Sequence, residues 1–155
     1  MRDKILLDTV YLLPIFSIDI GINEIDVLFQ KILESYDVYY NPISLIEAKL
    51  IILKLMKKDK GNREEYLKSF IKGLRTILKD ERLKQTEITN AAIEEYADNL
   101  VGEIKNYFRR TIYATAKYIN ALLLTESKIL LNYNNTSNII RLYENEKLAK
   151  VEQVK

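Results

Sequence analysis

Two acidic side chains, far apart along the chain, have the type and setting that could hold a divalent cation. Asp8 ends a short apolar run that begins at Ile5, and Glu47 lies among apolar neighbours in a later segment. A third acid, Glu126, directly follows the apolar run 121–125. Carboxylates gathered in one crevice can hold Mg²⁺ or Mn²⁺, which activates water and neutralises a phosphate. The pattern therefore indicates a metal-dependent hydrolytic site.

A simpler interpretation of each acid stays open. Asp8 directly precedes a predicted helix start, where an aspartate often serves as the N-cap. Glu47 follows Ser44 by three residues, and this spacing is typical of a capping box at a helix N-terminus. Each acid alone is therefore weakly specific for chemistry.

The composition narrows the chemistry that the chain can perform. The 155 residues are 48% hydrophobic and 30% charged, which is typical of one folded domain rather than a disordered chain. The absence of cysteine and histidine excludes disulfides, thiol catalysis, serine–histidine triads and histidine metal ligands. A net charge of +2 is too balanced to indicate nucleic-acid binding by itself. Carboxylates with a hard cation are the natural remaining choice.

The hydrophobic pattern predicts strands that alternate with helices. Strands are expected at 4–7, 37–40, 121–125 and 139–143, a helical turn at 11–16, and helices at 22–34, 44–58, 63–79, 90–104 and 110–119. Such alternation favours an α/β sandwich around a mostly parallel sheet, with its ligand crevice at the carboxyl ends of the strands. A single domain is expected over 1–143, followed by a charged, frayed tail over 144–155.

Two surface features of the predicted helices each have two interpretations. Basic residues cluster at 54–63 and again at 72–84, either as an ordinary solvated surface or as a rim that guides phosphates. The helix at 44–58 is nearly all apolar through Leu55, which suits core burial and also leaves room for a homodimer or partner surface.

Four segments, in this order and spacing, resemble the PIN-domain family of VapC-like ribonucleases. The segments are Leu6-Leu7-Asp8-Thr9-Val10-Tyr11-Leu12-Leu13-Pro14, Ile43-Ser44-Leu45-Ile46-Glu47, Thr111-Ile112-Tyr113-Ala114-Thr115-Ala116 and Ala121-Leu122-Leu123-Leu124-Thr125. The resemblance implies a three-layer α/β/α sandwich and a magnesium- or manganese-dependent ribonuclease of the toxin–antitoxin type. It also implies that Asp8 and Glu47 are the first two acids of the metal site, with Thr125 in the same pocket.

The chain departs from the family where two further acids are expected. Arg109 stands at the third acidic position and Ser127 at the fourth, while Glu126 lies one residue early. Three interpretations of Arg109 are open: its guanidinium forks onto Asp8 or Glu47 in place of a metal, a substitute acid such as Glu126 or Glu103 restores the site, or Arg109 points to solvent.

From these departures we expect a degenerate acidic site whose catalysis is lost or weakened, in a protein that binds RNA or a protein partner. The first alternative is an active magnesium- or manganese-dependent endoribonuclease of a toxin–antitoxin pair, with Asp8 and Glu47 on the metal and Glu126 assisting. The second is a structural or oligomerisation module without a nucleic-acid role. No signal or membrane segment is apparent, so a cytoplasmic location is expected.

Overall fold

The centre of the molecule is a six-stranded sheet. The computed structural model describes residues 2–126 together with two later strands, at 139–141 and 152–154. The strands are β1 (Lys4–Leu7), β2 (Asp37–Tyr40), β3 (Leu83–Gln85), β4 (Leu122–Leu124), β5 (Ile139–Arg141) and β6 (Glu152–Val154). Their order in the sheet is β3-β2-β1-β4-β5-β6, with β1 to β5 parallel and β6 antiparallel to β5.

Five α-helices connect and cover these strands. They are α1 (Ile25–Ser35), α2 (Ile43–Lys58), α3 (Arg63–Lys79), α4 (Ala91–Asp98) and α5 (Tyr107–Tyr118). Short 3₁₀ turns occupy Thr9–Tyr11, Leu13–Phe16 and Lys60–Asn62.

Alternate residues of the inner strands face two separate cores. Ile5 and Leu7 of β1 pack with α1, α2 and α3, whereas Leu6 packs on the other face with Ile112 of α5. Successive side chains of a strand point to opposite faces, so a run that is apolar throughout must be covered on both sides. The structure therefore has three layers, which confirms the predicted α/β/α sandwich.

The largest differences between the observed and the predicted elements are at β3 and α4. In addition, α1 begins three residues later than predicted, at Ile25, and α5 three residues earlier, at Tyr107. Strand β3 was not predicted, because only Leu83 of its three residues is buried and its neighbours Lys84 and Gln85 carry no strand pattern. Helix α4 ends at Asp98 instead of near 104, since the chain turns after Asn99 and inserts Leu100 and Ile104 into the core beside α5.

Some of the predicted elements and site residues lie outside the part of the chain that the structure describes. This includes Ser127, the predicted helical turn at 127–131 and most of the segment 144–155, which was expected to be a frayed tail. Within that segment, Glu152–Val154 is strand β6, in register with Ile139–Arg141. In the described ranges, no helix has both the length and the apolar character needed to cross a bilayer.

Candidate functional site

The carboxyl ends of two neighbouring parallel strands bring Asp8 and Thr125 into direct contact. Asp8 follows β1, Thr125 follows β4, and the backbone N–H of Asp8 donates to the carbonyl of Leu124 at 3.0 Å. The Thr125 hydroxyl then donates to Oδ2 of Asp8 at 2.5 Å. Two residues 117 positions apart in sequence are thus joined at the centre of the sheet edge where ligands of parallel sheets bind.

The second oxygen of Asp8 caps the 3₁₀ turn that follows it. The backbone N–H of Thr9 donates to Oδ1 of Asp8 at 2.7 Å. Both carboxylate oxygens therefore accept hydrogen bonds, and the side chain is only 8% exposed. The simpler interpretation of Asp8 as a cap is correct, and the same residue also lies in the crevice.

Glu47 is held in the crevice by the start of α2, and the start of α2 is set by Asn41. Oδ1 of Asn41 accepts from the backbone N–H of Ile43 at 2.9 Å, while its amide donates to Thr115 of α5 at 2.8 Å and to the carbonyl of Ile88 at 3.0 Å. Asn41 is fully buried, so this network ties the beginning of α2 to α5.

The predicted capping box at Ser44 is wrong. Helix α2 begins one residue earlier, at Ile43, and the residue in the cap position, Pro42, makes no side-chain cap. Ser44 lies inside the helix, and its buried hydroxyl meets no partner in the described part of the chain. Asn41 supplies the hydrogen bond to the helix start instead, which leaves Glu47 available to face the crevice.

The two acids and Arg109 influence one another electrostatically. Burial raises the pKa of Asp8 above its ordinary value, and the hydrogen bonds from Thr125 and Thr9 and the charge of Arg109 partly oppose this. Burial likewise raises the pKa of Glu47, with a further rise from the charge of Asp8 and an opposing effect of Arg109. The Thr9 hydroxyl also lies beside Glu47, although their geometry falls short of a hydrogen bond.

Arg109 lies at the crevice without forming a direct ion pair there. It is half-buried in the first turn of α5, where its N–H donates to the capping side chain of Asn106 at 3.0 Å. Its charge acts on both acids, yet no nitrogen–oxygen distance to either is within 4.0 Å. The structure therefore matches neither the predicted fork onto a carboxylate nor a side chain that points freely to solvent. The positive end of the α5 dipole adds to its charge at this point.

Glu126, which directly follows Thr125, is held by a residue that the sequence did not single out. The hydroxyl of Tyr11, whose side chain is fully buried, donates to Oε1 of Glu126 at 2.6 Å. Glu103 is exposed in the turn that follows α4, and its charge is not among those that shift the pKa of Asp8 or of Glu47. Ser127 lies outside the described residues. Among the sequence candidates, the structure thus brings together Asp8, Glu47, Arg109 and Thr125, while Glu126 is bonded to Tyr11.

The described donor set fits a divalent ion only in part. Mg²⁺ can be held by one or two carboxylates completed by water and phosphate oxygens, and Asp8 and Glu47 supply two. Within the described ranges, however, no three acidic side chains form a cluster suited to a metal. Asp8 already accepts two hydrogen bonds, and the charge of Arg109 opposes a second cation. The residues that the structure describes therefore do not by themselves supply a complete ligand set for a divalent ion.

Comparison with solved structures identifies the fold. A toxin–antitoxin complex from Klebsiella pneumoniae aligns with a TM-score of 0.56 at 20% identity, over 90% of this chain and 98% of that one. VapBC2 from Rickettsia felis, bound to a DNA fragment from its promoter, aligns with a TM-score of 0.61 at 16% identity, over 90% and 97%. The fold is PIN-like.

This likeness lies in the fold and not in close sequence similarity. No family model matches the PIN-like chain, and no curated protein matches it. FitAB bound to the IR36 DNA fragment aligns at 20% identity over 92% of this chain and 99% of that one, with a TM-score of 0.49. The Klebsiella pneumoniae and Rickettsia felis structures confirm, at the level of the fold, the resemblance seen in the sequence.

Two residues that position the PIN-like site, Tyr11 and Asn41, were not predicted from the sequence. Tyr11 stands in an apolar stretch like any core tyrosine, and nothing local connects it to a residue 115 positions later. Asn41 had a usable signal, because an Asn-Pro pair before a helix favours an asparagine cap.

Proposed function

We propose that this PIN-like protein has lost or weakened metal-dependent RNA hydrolysis and acts by binding a protein partner. The observation that carries the proposal is the position of Arg109, whose charge acts on both Asp8 and Glu47. A permanent cation at this point partly neutralises the two acids that a metal would need. Hydrolysis by a metal-activated water then lacks its ion, while the crevice and the fold around it persist.

A protein partner is favoured over RNA by the kind of assemblies in which the similar structures occur. Those structures are toxin–antitoxin complexes. Our proposal is that this chain also binds an antitoxin-like protein, in the cytoplasm, with homodimer formation as a further assembly step. RNA binding is the weaker expectation, since the described acidic crevice repels phosphate except at Arg109.

A divalent-ion titration followed by thermal unfolding tests the proposal. If the dissociation constant exceeds about 10 mM, then about 10 mM Mg²⁺ or Mn²⁺ stabilises the fold by less than ~0.4 kcal/mol. We expect a shift of the melting temperature of less than about 2 °C, equal in the wild type and in Asp8→Asn. A larger shift that Asp8→Asn abolishes would show an intact metal site and would overturn the proposal. The same samples, incubated with a single-stranded RNA oligonucleotide with and without EDTA, report any cleavage that depends on the ion.

The alternative function is an active magnesium- or manganese-dependent endoribonuclease. The observations in its favour are that the charge of Asp8 acts on Glu47, and that Tyr11 bonds Glu126 next to the end of the neighbouring strand. In that case Asp8 and Glu47 would hold the ion and Glu126 would assist, and the ion would supply an activated water. EDTA-sensitive RNA cleavage that is lost in both Asp8→Asn and Glu47→Gln would select this alternative.

A structural or oligomerisation module is the second alternative. It is favoured only by the exposed apolar side chains of α2, among them Ile46 and Leu50. Sedimentation of the wild type together with its behaviour in the ion and RNA assays separates this alternative from the other two. A stable oligomer with no response to ion, RNA or partner would select it.

A further inference from the structure

Helix α2 carries an apolar stripe that the fold leaves uncovered. Ile46, Leu50 and Leu53 are 49%, 43% and 39% exposed. Their spacing of four and three residues places them on one face of the helix, over a length of about 10 Å. Toward the C-terminal end of α2 this face becomes the floor of a groove of about 750 Å³, in which Leu50 and Leu53 are joined by Met56. Part of the predicted core helix is therefore a surface.

The rim of this groove is entirely basic. Lys54, Lys57, Lys60 and Arg63 line it, and its lining includes no carboxylate among the described residues. An aliphatic floor with a rim of one charge is not an ordinary solvated helix face, where charges of both signs alternate.

The same chemistry continues along α3. Arg63, Leu67, Ile71 and Arg75 follow one another at intervals of four residues and so share a face of that helix. Leu67 and Ile71, together with Lys68, Lys72 and Arg75, line a second, shallower groove of about 350 Å³. The apolar and basic surface thus extends from the end of α2 along α3, farther than a small molecule would span.

We infer that this α2–α3 surface binds an acidic amphipathic segment of the partner protein, with aliphatic side chains on the floor and carboxylates against the lysine and arginine rim. A helix that presents anchors at positions i, i+4 and i+7 matches the spacing of Ile46, Leu50 and Leu53. This inference deepens the proposed function, on which it rests, by naming the surface and the chemistry of the partner.

A second copy of the chain is a poor occupant of this groove. In a two-fold contact the same patch lies on both sides of the interface. The basic rim of one copy, with Lys54, Lys57 and Arg63, would then lie against the basic rim of the other, and like charges brought together oppose association. A partner of opposite charge has no such cost.

RNA is also a poor occupant, although the rim would attract phosphates. Proteins that bind single-stranded RNA usually stack its bases on aromatic side chains. Among the described residues, those that line the two grooves include no aromatic side chain, and the nearby Phe70 is buried in a stack on Phe16. Leu50, Leu53 and Met56 suit aliphatic side chains instead.

The test uses a labelled synthetic peptide of about 15 residues, with Leu at helical spacing and Glu at the exposed positions. A second peptide with Gln in place of every Glu is the matched probe. Fluorescence anisotropy with the full-length protein should give a dissociation constant for the Glu peptide at least about tenfold lower than for the Gln peptide. Because the rim is exposed, this preference should shrink when the salt concentration rises.

Two variants locate the binding surface. The double charge reversal Lys54→Glu with Lys57→Glu should weaken the Glu peptide by about tenfold or more, and Leu53→Ser should weaken both peptides. The control is Lys105→Glu, which reverses an exposed charge that lines neither groove and should leave binding unchanged. Binding should also be unchanged in Asp8→Asn, so a failure of this inference is distinct from a failure of the proposed loss of hydrolysis.

Several results would overturn the inference. Equal affinity for the two peptides would contradict the inference that the partner segment is acidic. If neither peptide binds with a dissociation constant below about 1 mM, the inference that this surface is a docking site is wrong. The surface would be assigned to RNA if an RNA oligonucleotide binds the wild type but not the double charge reversal, and if the Glu peptide does not displace it. Self-association in sedimentation that Leu53→Ser abolishes, with no peptide binding, would assign it to a second copy.

Discussion

The hydroxyl of Thr125 donates to Oδ2 of Asp8 at 2.5 Å, across two adjacent parallel strands. This contact joins the first and last strands of the described main body and supplies one of the two hydrogen bonds that a buried carboxylate needs. If the Asp8 carboxylate kept only its bond from the backbone N–H of Thr9, less of the free-energy cost of burying its charge would be offset.

Replacing Thr125 by Val should therefore destabilise the protein at neutral pH. The valine keeps the volume but leaves Oδ2 of Asp8 without its donor, and we expect a loss of about 1–3 kcal/mol in the free energy of unfolding. Urea denaturation measures this loss. Thr125→Ser retains the hydroxyl and serves as the control; a serine variant as unstable as the valine variant would assign the effect to the methyl group instead.

The raised pKa of Asp8 predicts a pH dependence of stability. Because the folded-state pKa lies above the unfolded one, the folded state favours the protonated acid, so the contribution of Asp8 to stability is greatest below its ordinary pKa. That contribution is lost as the pH rises through the raised folded-state value.

Asp8→Asn removes this titration and should be more stable than the wild type near neutral pH in EDTA. The difference in the free energy of unfolding should shrink as the pH falls toward about 4. Asp80 provides a control of opposite sign, since hydrogen bonds from Arg82 lower its pKa and Asp80→Asn should not stabilise the fold at any pH. A constant Asp8→Asn difference across this range would contradict the prediction.

Acidic side chains at positions 109 and 127, where the family resemblance predicts them, should strengthen ion binding. In Arg109→Asp with Ser127→Asp, the cation is replaced by a carboxylate, and repulsion among the acids should lower stability in EDTA. Mg²⁺ or Mn²⁺ should then recover about 1 kcal/mol or more, which thermal unfolding can measure. Lys105→Asp introduces an acid at an exposed position outside the site and should gain nothing. No gain in the double variant would mean that the loss of ion binding does not stem from these two positions.

The buried amide of Asn41 should be among the most sensitive positions in the chain. Asn41→Leu removes three hydrogen bonds: the backbone N–H of Ile43 and the carbonyl of Ile88 lose their contacts with Asn41, and Thr115 keeps only its bond to the carbonyl of Thr111. We therefore expect a loss of about 2–4 kcal/mol in the free energy of unfolding. Asn62→Ala removes one exposed hydrogen bond to Asp59 and should change stability by less than about 0.5 kcal/mol. Chemical denaturation of the two variants, compared with the wild type, checks this difference.

At Gly73, helix α3 packs closely against the 3₁₀ turn at Leu13–Phe16. A Cβ added there would lie 2.6 Å from Cδ1 of Phe16 and 2.7 Å from the carbonyl oxygen of Ile15. Gly73→Ala should therefore cost about 1–3 kcal/mol through overpacking. Gly61→Ala has open space around the new Cβ and should be neutral or slightly stabilising. Equal melting temperatures for the two variants would show that α3 shifts without cost.

The sequence by itself determined the α/β class, most of the strands and helices, and the kinds of functional groups available to the site. These follow from local properties: β1 is apolar throughout, so it must be covered on both faces, and a chain without cysteine or histidine has only oxygen ligands for a metal. The same local patterns placed Asp8 at a strand end and Glu47 at the start of a helix.

Only the tertiary structure decided how these residues meet. Asp8 contacts Thr125, and Tyr11 contacts Glu126, because β1 and β4 are neighbours in the sheet, and sequence spacing carries no record of that pairing. The exposed apolar face of α2 has the same origin, since a nearly uniform apolar helix does not reveal which side its neighbours cover. Local patterns depend on neighbouring residues, whereas a site depends on distances that only packing sets.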